Sequence, residues 1–157
     1  MLCSKQTTRS LTLTFFALLS LSACTSSPTS PEQQVNAVID KMELAIEERR
    51  NSRLMIHIHD DYSDHAGHTK PSLRKMATAY MLKSQNIKLV VNIQSLELID
   101  NNTVAVEALV LMAGTESNLD GNLPFLKFDN QKVSGVFNQF DNQWLLTSLS
   151  WESQTRH

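Results

Sequence analysis

Four of the five histidines of this 157-residue chain fall within one short segment, His57 to His68, together with Asp60, Asp61, Tyr62 and Asp64. Imidazole and carboxylate groups bind divalent metals and move protons near neutral pH, so this is the first place to look for chemistry. If residues 55–61 form a strand, His57, His59 and Asp61 share one face and could hold Zn²⁺ or another divalent ion. If they form a helix, His57 and His59 point about 200° apart and cannot chelate together. Ligands at His65 and His68 would then depend on loop geometry. The spacing matches no recognised metal motif. The simpler expectation is polar side chains on the exposed side of a short helix and loop, with no cofactor. Asp61 is the candidate general base, with Tyr62 or Tyr80 as hydrogen-bond donor, a role that requires burial to raise its carboxyl pKa.

Other chemistries are excluded by composition. The two cysteines are Cys3 and Cys24, both near the N-terminus. The C-terminal part of the chain therefore offers no thiol nucleophile, disulfide or cysteine-based zinc site. Arg49, Arg50 and Arg53 form the only basic cluster, and Glu47 and Glu48 precede them. Nucleic acid, which needs a strong positive footprint, is not an expected partner.

The elements that must position these side chains are read from periodicity. Ser30-Pro31-Glu32-Gln33 is a helix start: Ser30 caps, Pro31 suits the first helical position and Gln33 completes a capping box. Val35, Val38, Met42, Ala45, Ile46 and Arg49 follow at helical spacing. Ser52 can cap a second, short helix to about His59, although Leu54, Ile56 and Ile58 alternate as a strand would. Asp60 to Asp64 reads as a turn. Thr69 can cap a third helix with Pro71 in its first turn and Leu73, Met76, Ala77, Tyr80 and Met81 as its apolar stripe, ending at Asn86.

From Ile87 the period changes to two. Ile87, Leu89, Val91 and Ile93 share a face, and Leu96 and Leu98 continue out of phase, which predicts a bulge near Gln94 or Ser95. Asp100 to Asn102 is a hairpin turn and Val104 to Ala113 a second strand. A polar loop follows over 114–122. Residues 125–140 carry a third strand or strand pair, with Gly135 a candidate bulge. Asp141-Asn142 turns the chain into a last strand from Trp144 to Trp151.

The N-terminus carries a different signal. Lys5 and Arg9 form a positive start, and residues 11–20 an apolar run too short for the roughly 20 residues of a membrane span. Leu21-Ser22-Ala23-Cys24 follows, and it resembles the lipobox of bacterial lipoproteins. The resemblance implies cleavage before Cys24 and acylation of its sulfur. Acyl chains contribute about 0.8 kcal/mol per buried CH₂, so several on one cysteine replace a transmembrane helix. Cleavage would leave 134 residues with 12 basic and 16 acidic side chains, a formal charge of −4. Thr25, rather than Asp, after the cysteine implies the periplasmic face of the outer membrane, or the plasma membrane in an organism with one membrane. The expected organisation is a signal peptide over 1–23, a lipidated tether over 24–31, one α+β domain over 32–153 and a tail over 154–157.

The order of helices, then a meander, then a hairpin with Trp after the turn resembles the nuclear transport factor 2-like superfamily. The residues that carry the resemblance are Ala45-Ile46-Glu47, the acidic and aromatic stretch Asp60 to Asp64, and Phe140-Asp141-Asn142-Gln143-Trp144-Leu145-Leu146 with Trp151. The resemblance implies three N-terminal helices packed on a curved antiparallel sheet, forming a cone whose mouth can hold a ligand. It also implies that the open sheet face can pair two copies. Pocket candidates are Met55, Tyr80, Met112 and Trp151. Enzymes of the superfamily place Asp, His or Tyr inside the cone, but none of their motifs transfers residue by residue. The expectation is a non-catalytic domain that binds a small apolar ligand or a periplasmic protein. The alternatives are a cone-fold isomerase, dehydratase or hydrolase, and a divalent-metal-binding lipoprotein.

Overall fold

The structure, a computed structural model, describes residues 30–116 and 129–153. The first helix, α1, spans Pro31–Glu47. Its capping box forms as the sequence predicts: Gln33 N–H donates to Ser30 Oγ at 3.2 Å and Ser30 N–H to Gln33 Oε1 at 3.3 Å. Val35, Ile39 and Ala45 are its buried residues, with Val38, Met42 and Ile46 packed beside them. Ile39, absent from the expected stripe, replaces Arg49, which lies beyond the helix at φ 58° and donates from Nε to Met81 O at 2.8 Å.

The ambiguous segment 51–64 resolves into both alternatives in succession. Helix α2 covers only Asn51–Met55, and strand β1 covers Ile58–Asp64. The expected turn at Asp60–Asp64 is thus a strand. Helix α3 spans Lys70–Lys83, and Thr69 N–H donates to Ser72 Oγ at 2.7 Å at its start. It stops three residues before Asn86 because Ser84 is already extended. Met81 is its buried residue, while Met76, expected in the stripe, is exposed.

Four longer strands follow: β2 Ser84–Asp100, β3 Thr103–Glu116, β4 Asp129–Phe140 and β5 Gln143–Ser153. The sheet order is β1-β5-β4-β3-β2. The meander β2 to β5 is antiparallel, but β1 pairs with β5 in parallel, so the sheet is mixed rather than purely antiparallel. The reason is geometric. β1 and β5 both enter the sheet from the end where the Asp141-Asn142 turn lies, so they run the same way. β1 then supplies hydrogen-bonding partners to an edge of β5 that would otherwise be open.

Among the register shifts of the sheet, two set which side chains face the helices. On β2 the register shifts between Ile93 and Ser95, which keeps Ile87, Leu89, Val91, Ile93, Leu96 and Leu98 on one face despite their change of parity. The second bulge lies on β5, not at Gly135: Val136 pairs with Ser148 and Phe137 with Leu146, leaving Thr147 as the extra residue. Thr147 Oγ1 is held by Asn138 Oδ1 at 2.6 Å and Val136 O at 3.2 Å. The extra residue places Trp144, Leu146, Leu149 and Trp151 on the same concave face. Val35, Leu54, Met55, Ile58, Val104, Phe137 and Leu146 form the centre of the core beneath it. Each such side chain contributes about 1.5–3 kcal/mol on burial. Glu47, at the far end of α1, accepts the Leu89 N–H at 3.1 Å and caps the free edge of β2.

Candidate functional site

The sequence singled out Asp61, and the structure singles out Asp64. β1 joins the sheet at Ile58 opposite Leu146 and again at Ser63 opposite Ser148, so five residues of β1 span two of β5. The surplus chain bows outward and carries Asp60 and Asp61 into solvent. The Asp61 side chain is 94% exposed, with His59 Nδ1 3.9 Å from its Oδ2. Asp60 bonds Lys70 Nζ at 2.7 Å, and that bond is the main cause holding its carboxyl below the usual range. Tyr62 and Asp64 turn inward instead. Tyr62 is 1% exposed, and the Asp64 side chain likewise 1%.

Asp64 is the hub of the turn between β1 and α3. Its Oδ1 accepts the N–H of Ala66 at 3.0 Å and of His68 at 2.8 Å. His68 Nδ1 lies 3.1 Å from Oδ1 and 3.0 Å from Oδ2, and Tyr62 OH lies 3.4 Å from Oδ2. Burial alone would push the Asp64 carboxyl up, but the donors from His68 and Ala66 outweigh it and hold the group below the ordinary carboxylate range. An ionised carboxylate can only accept, so His68 Nδ1 carries a proton and donates it to Asp64. Tyr62 is shifted the other way: burial, then the Asp64 charge, raise its phenol far above its usual value. It remains neutral and donates.

Trp151 completes the cluster. The His68 ring lies nearly parallel to it, with centroids 6.4 Å apart and 13° between planes, and His65 meets its edge at 4.1 Å. Trp151 is half-buried and shares a recess of about 310 Å³ with His65, Lys132, Ser134, Ser150 and Glu152. Residues that the sequence placed in unrelated roles are therefore brought together: Tyr62, Asp64, His65, His68 and Trp151. The clue to Asp64 was its parity with Tyr62, visible once 58–64 is a strand.

The remaining candidates do not join this cluster. His57 lines a separate cleft of about 330 Å³ with Gln34, Val38, Lys41, Ile56 and Trp144, where burial, then Lys41, lower its pKa. His59 stacks on Phe140 at 4.1 Å and accepts the Asp61 N–H on Nδ1 at 3.2 Å. His59 Nδ1 lies 3.9 Å from Asp61 Oδ2, but His57 faces the separate cleft, so the three side chains do not converge. Among the described residues, no three His, Cys, Asp or Glu side chains converge in a metal-binding group. Met55 packs in the core rather than lining a cavity, since α2 packs against α1 and α3. Tyr80 and Met112 are half-buried against that core. Tyr80 points its hydroxyl at Gly114, where an added Cβ would stand 2.8 Å away.

No family model matches the chain, and no curated protein matches it in sequence. Solved structures do match in fold. A candidate scytalone dehydratase from Novosphingobium aromaticivorans superposes with a TM-score of 0.70 at 10% identity, over 78% of this chain and 83% of that one. The hexachlorocyclohexane dehydrochlorinase LinA-type3 from Novosphingobium barchaimii does so at 0.62 and 14% identity, over 78% and 85%. A nuclear transport factor 2-like superfamily protein from Salmonella enterica does so at 0.65 and 10% identity, over 80% and 92%. The described domain therefore has the nuclear transport factor 2-like fold: helices followed by a curved mixed sheet that does not close.

Proposed function

We propose that this chain is a lipid-anchored binding domain of the bacterial envelope, held by acyl chains on Cys24, non-catalytic, and directed to a small apolar ligand or a periplasmic protein partner. The lipobox-like Leu21-Ser22-Ala23-Cys24 supports the anchor, and Thr25 supports the periplasmic face of the outer membrane. The placement of the acids carries the non-catalytic part. Asp61 is exposed, Tyr62 is sealed in the core, and both Asp64 oxygens are engaged by donors of its own turn. A general base needs a lone pair within reach of a substrate proton, and neither carboxylate provides one. The recess sets one aromatic wall, Trp151 with His65 on its edge, beside Lys132, Ser134, Ser150 and Glu152. A flat, half-buried indole suits an apolar ligand. The outer sheet face, where Val90 and Leu111 are exposed opposite one another, is the surface on which two copies would pair.

The test combines two measurements on the full-length protein expressed in bacteria. Intact mass should show acyl chains on residue 24. The apolar probe N-phenyl-1-naphthylamine should brighten on binding, and Trp151→Ala should weaken it at least tenfold. An unmodified sulfur on membrane-free protein refutes the anchor; no probe binding refutes the ligand reading.

A second reading is favoured by one observation. A buried carboxylate on His Nδ1 fixes the tautomer that leaves Nε2 a base, as in Asp-oriented histidines that abstract protons. In this reading His68 is the base of a dehydratase-type elimination, with Asp64 as positioning residue. Turnover of a β-hydroxycarbonyl substrate, lost in His68→Gln while the fold is retained, would favour it over the binding reading.

A further inference from the structure

Both hairpins of the meander end at the same pole of the domain as the start of α1. Gln139 N–H donates to Asn102 O at 2.8 Å, which ties the β2–β3 tip to the β4–β5 hairpin. Trp144 Nε1 donates to Gln34 Oε1 at 3.1 Å, which ties that hairpin to the second turn of α1. This pole carries large apolar side chains that remain exposed: Ile56 at 65%, Ile99 at 57% and Phe140, whose ring stacks on His59, at 40%. Ile56 shares a cleft with Gln34, Asn142 and Gln143, Phe140 directly precedes the turn, and Ile99 stands just before the other tip.

The chain that leaves this pole toward Cys24 is short. Five residues lie between Cys24 and Ser30, and a fully extended chain spans at most about 3.3–3.6 Å per residue step, so six steps reach about 20 Å. An acylated Cys24 lies in the lipid interface, so the pole from which α1 starts can never be far from it. The charge distribution agrees in sign and place. Asp61, Asp100 and Asp141 are exposed at this pole, against Lys41 in the cleft with Ile56; Arg49 and Arg50 follow the opposite end of α1, about 25 Å away for a 17-residue helix, and Arg53 lies between, three residues before Ile56.

We infer that this pole is a membrane-docking surface: Ile56, Ile99 and Phe140 enter the interface of a phosphatidylethanolamine-rich bilayer, and the aspartates pair with its ammonium headgroups. This deepens the proposed anchoring and rests on acylation of Cys24. The occupant is a zwitterionic rather than an anionic lipid surface, because three carboxylates would face anionic headgroups with like charge. Arg49 and Arg50 are held away from the bilayer.

The two tryptophans are built-in reporters, since Trp144 sits at the docking pole and Trp151 further along the sheet. Full-length acylated protein carrying Trp151→Phe or Trp144→Phe is placed in vesicles of phosphatidylethanolamine and phosphatidylcholine with brominated acyl chains. Trp144 should be quenched at least twofold more than Trp151. Ile56→Asn with Ile99→Asn, both at exposed positions, should remove most of the difference. Replacing half of the phosphatidylethanolamine by phosphatidylglycerol should reduce it. Equal quenching of the two tryptophans in protein that floats with the vesicles overturns the docking while leaving the anchor intact. Quenching that grows with phosphatidylglycerol overturns it in favour of the arginine end. A mass showing no acyl group on Cys24 in protein that does not float overturns the anchor, and the docking with it.

Discussion

Replacing Asp64 by alanine tests the assignment of the buried hub. The substitution removes an ionised acceptor from two backbone N–H groups, from His68 Nδ1 and from the buried Tyr62 hydroxyl. Bonds to charged groups contribute about 1.5–3 kcal/mol, and a buried donor left unpaired costs about 1–3 kcal/mol. Recovering the carboxylate's own desolvation offsets part of this, as does water entering beside the half-exposed His68. The net expectation is a loss of about 3 kcal/mol. At a urea m-value of about 2 kcal/mol/M, the unfolding midpoint falls by about 1.5 M with m unchanged. Asp64→Asn keeps one carbonyl oxygen for the two backbone donors and should lose about 1–2 kcal/mol. Asp61→Ala, at a solvated position, should stay within about 0.5 kcal/mol of the parent. The cycle Asp64→Ala with His68→Ala should show a coupling of about 1 kcal/mol or more. Equal effects at positions 61 and 64, or a coupling near zero, would refute the hub and return Asp64 to the role of a turn residue.

Stability should fall with acid in two stages. The pKa of His57 is lowered by folding, so its unfavourable contribution starts as pH drops through about 6.5, where the unfolded chain takes up a proton the folded one resists. Asp64, also lowered, contributes stability above its unfolded pKa of about 3.9 that is lost as pH falls toward its folded value. His57→Gln should flatten the first stage in urea melts between pH 7 and 5 and leave the second. At the alkaline end, Tyr62 resists ionisation in the fold, so stability should decline above about pH 10, with Tyr62→Phe removing that decline in the same melts. Gly114→Ala drives a methyl toward Tyr80 OH, Ser84 Oγ and Ser84 Cβ, at 2.8, 3.2 and 3.3 Å, and should cost about 1–3 kcal/mol by chemical denaturation. Deleting Thr147 would turn Leu149 and Trp151 to the outer face. Near-UV circular dichroism should then collapse, whereas Thr147→Ser should retain the spectrum.

Local chemistry made several features legible in the sequence. Ser30, Pro31 and Gln33 announce α1 because a capping box involves only neighbours four residues apart or fewer. The parity change from Ile93 to Leu96 announces the β2 bulge, because side-chain alternation is a property of one strand. Asp141 and Asn142 both take positive φ, as a tight hairpin requires and as these residue types tolerate. Other features depended on partners distant in the chain. Whether 58–64 is helix, turn or strand was decided by the open edge of β5, which lies more than 80 residues away and offers backbone partners only once the meander exists. That pairing bows Asp61 outward and turns Asp64 inward, which no run of adjacent acids can disclose. The contact of His65 and His68 with Trp151 has the same origin. Periodicity along one element tells which residues face inward together, but which of them meet is settled by the elements that pack against it.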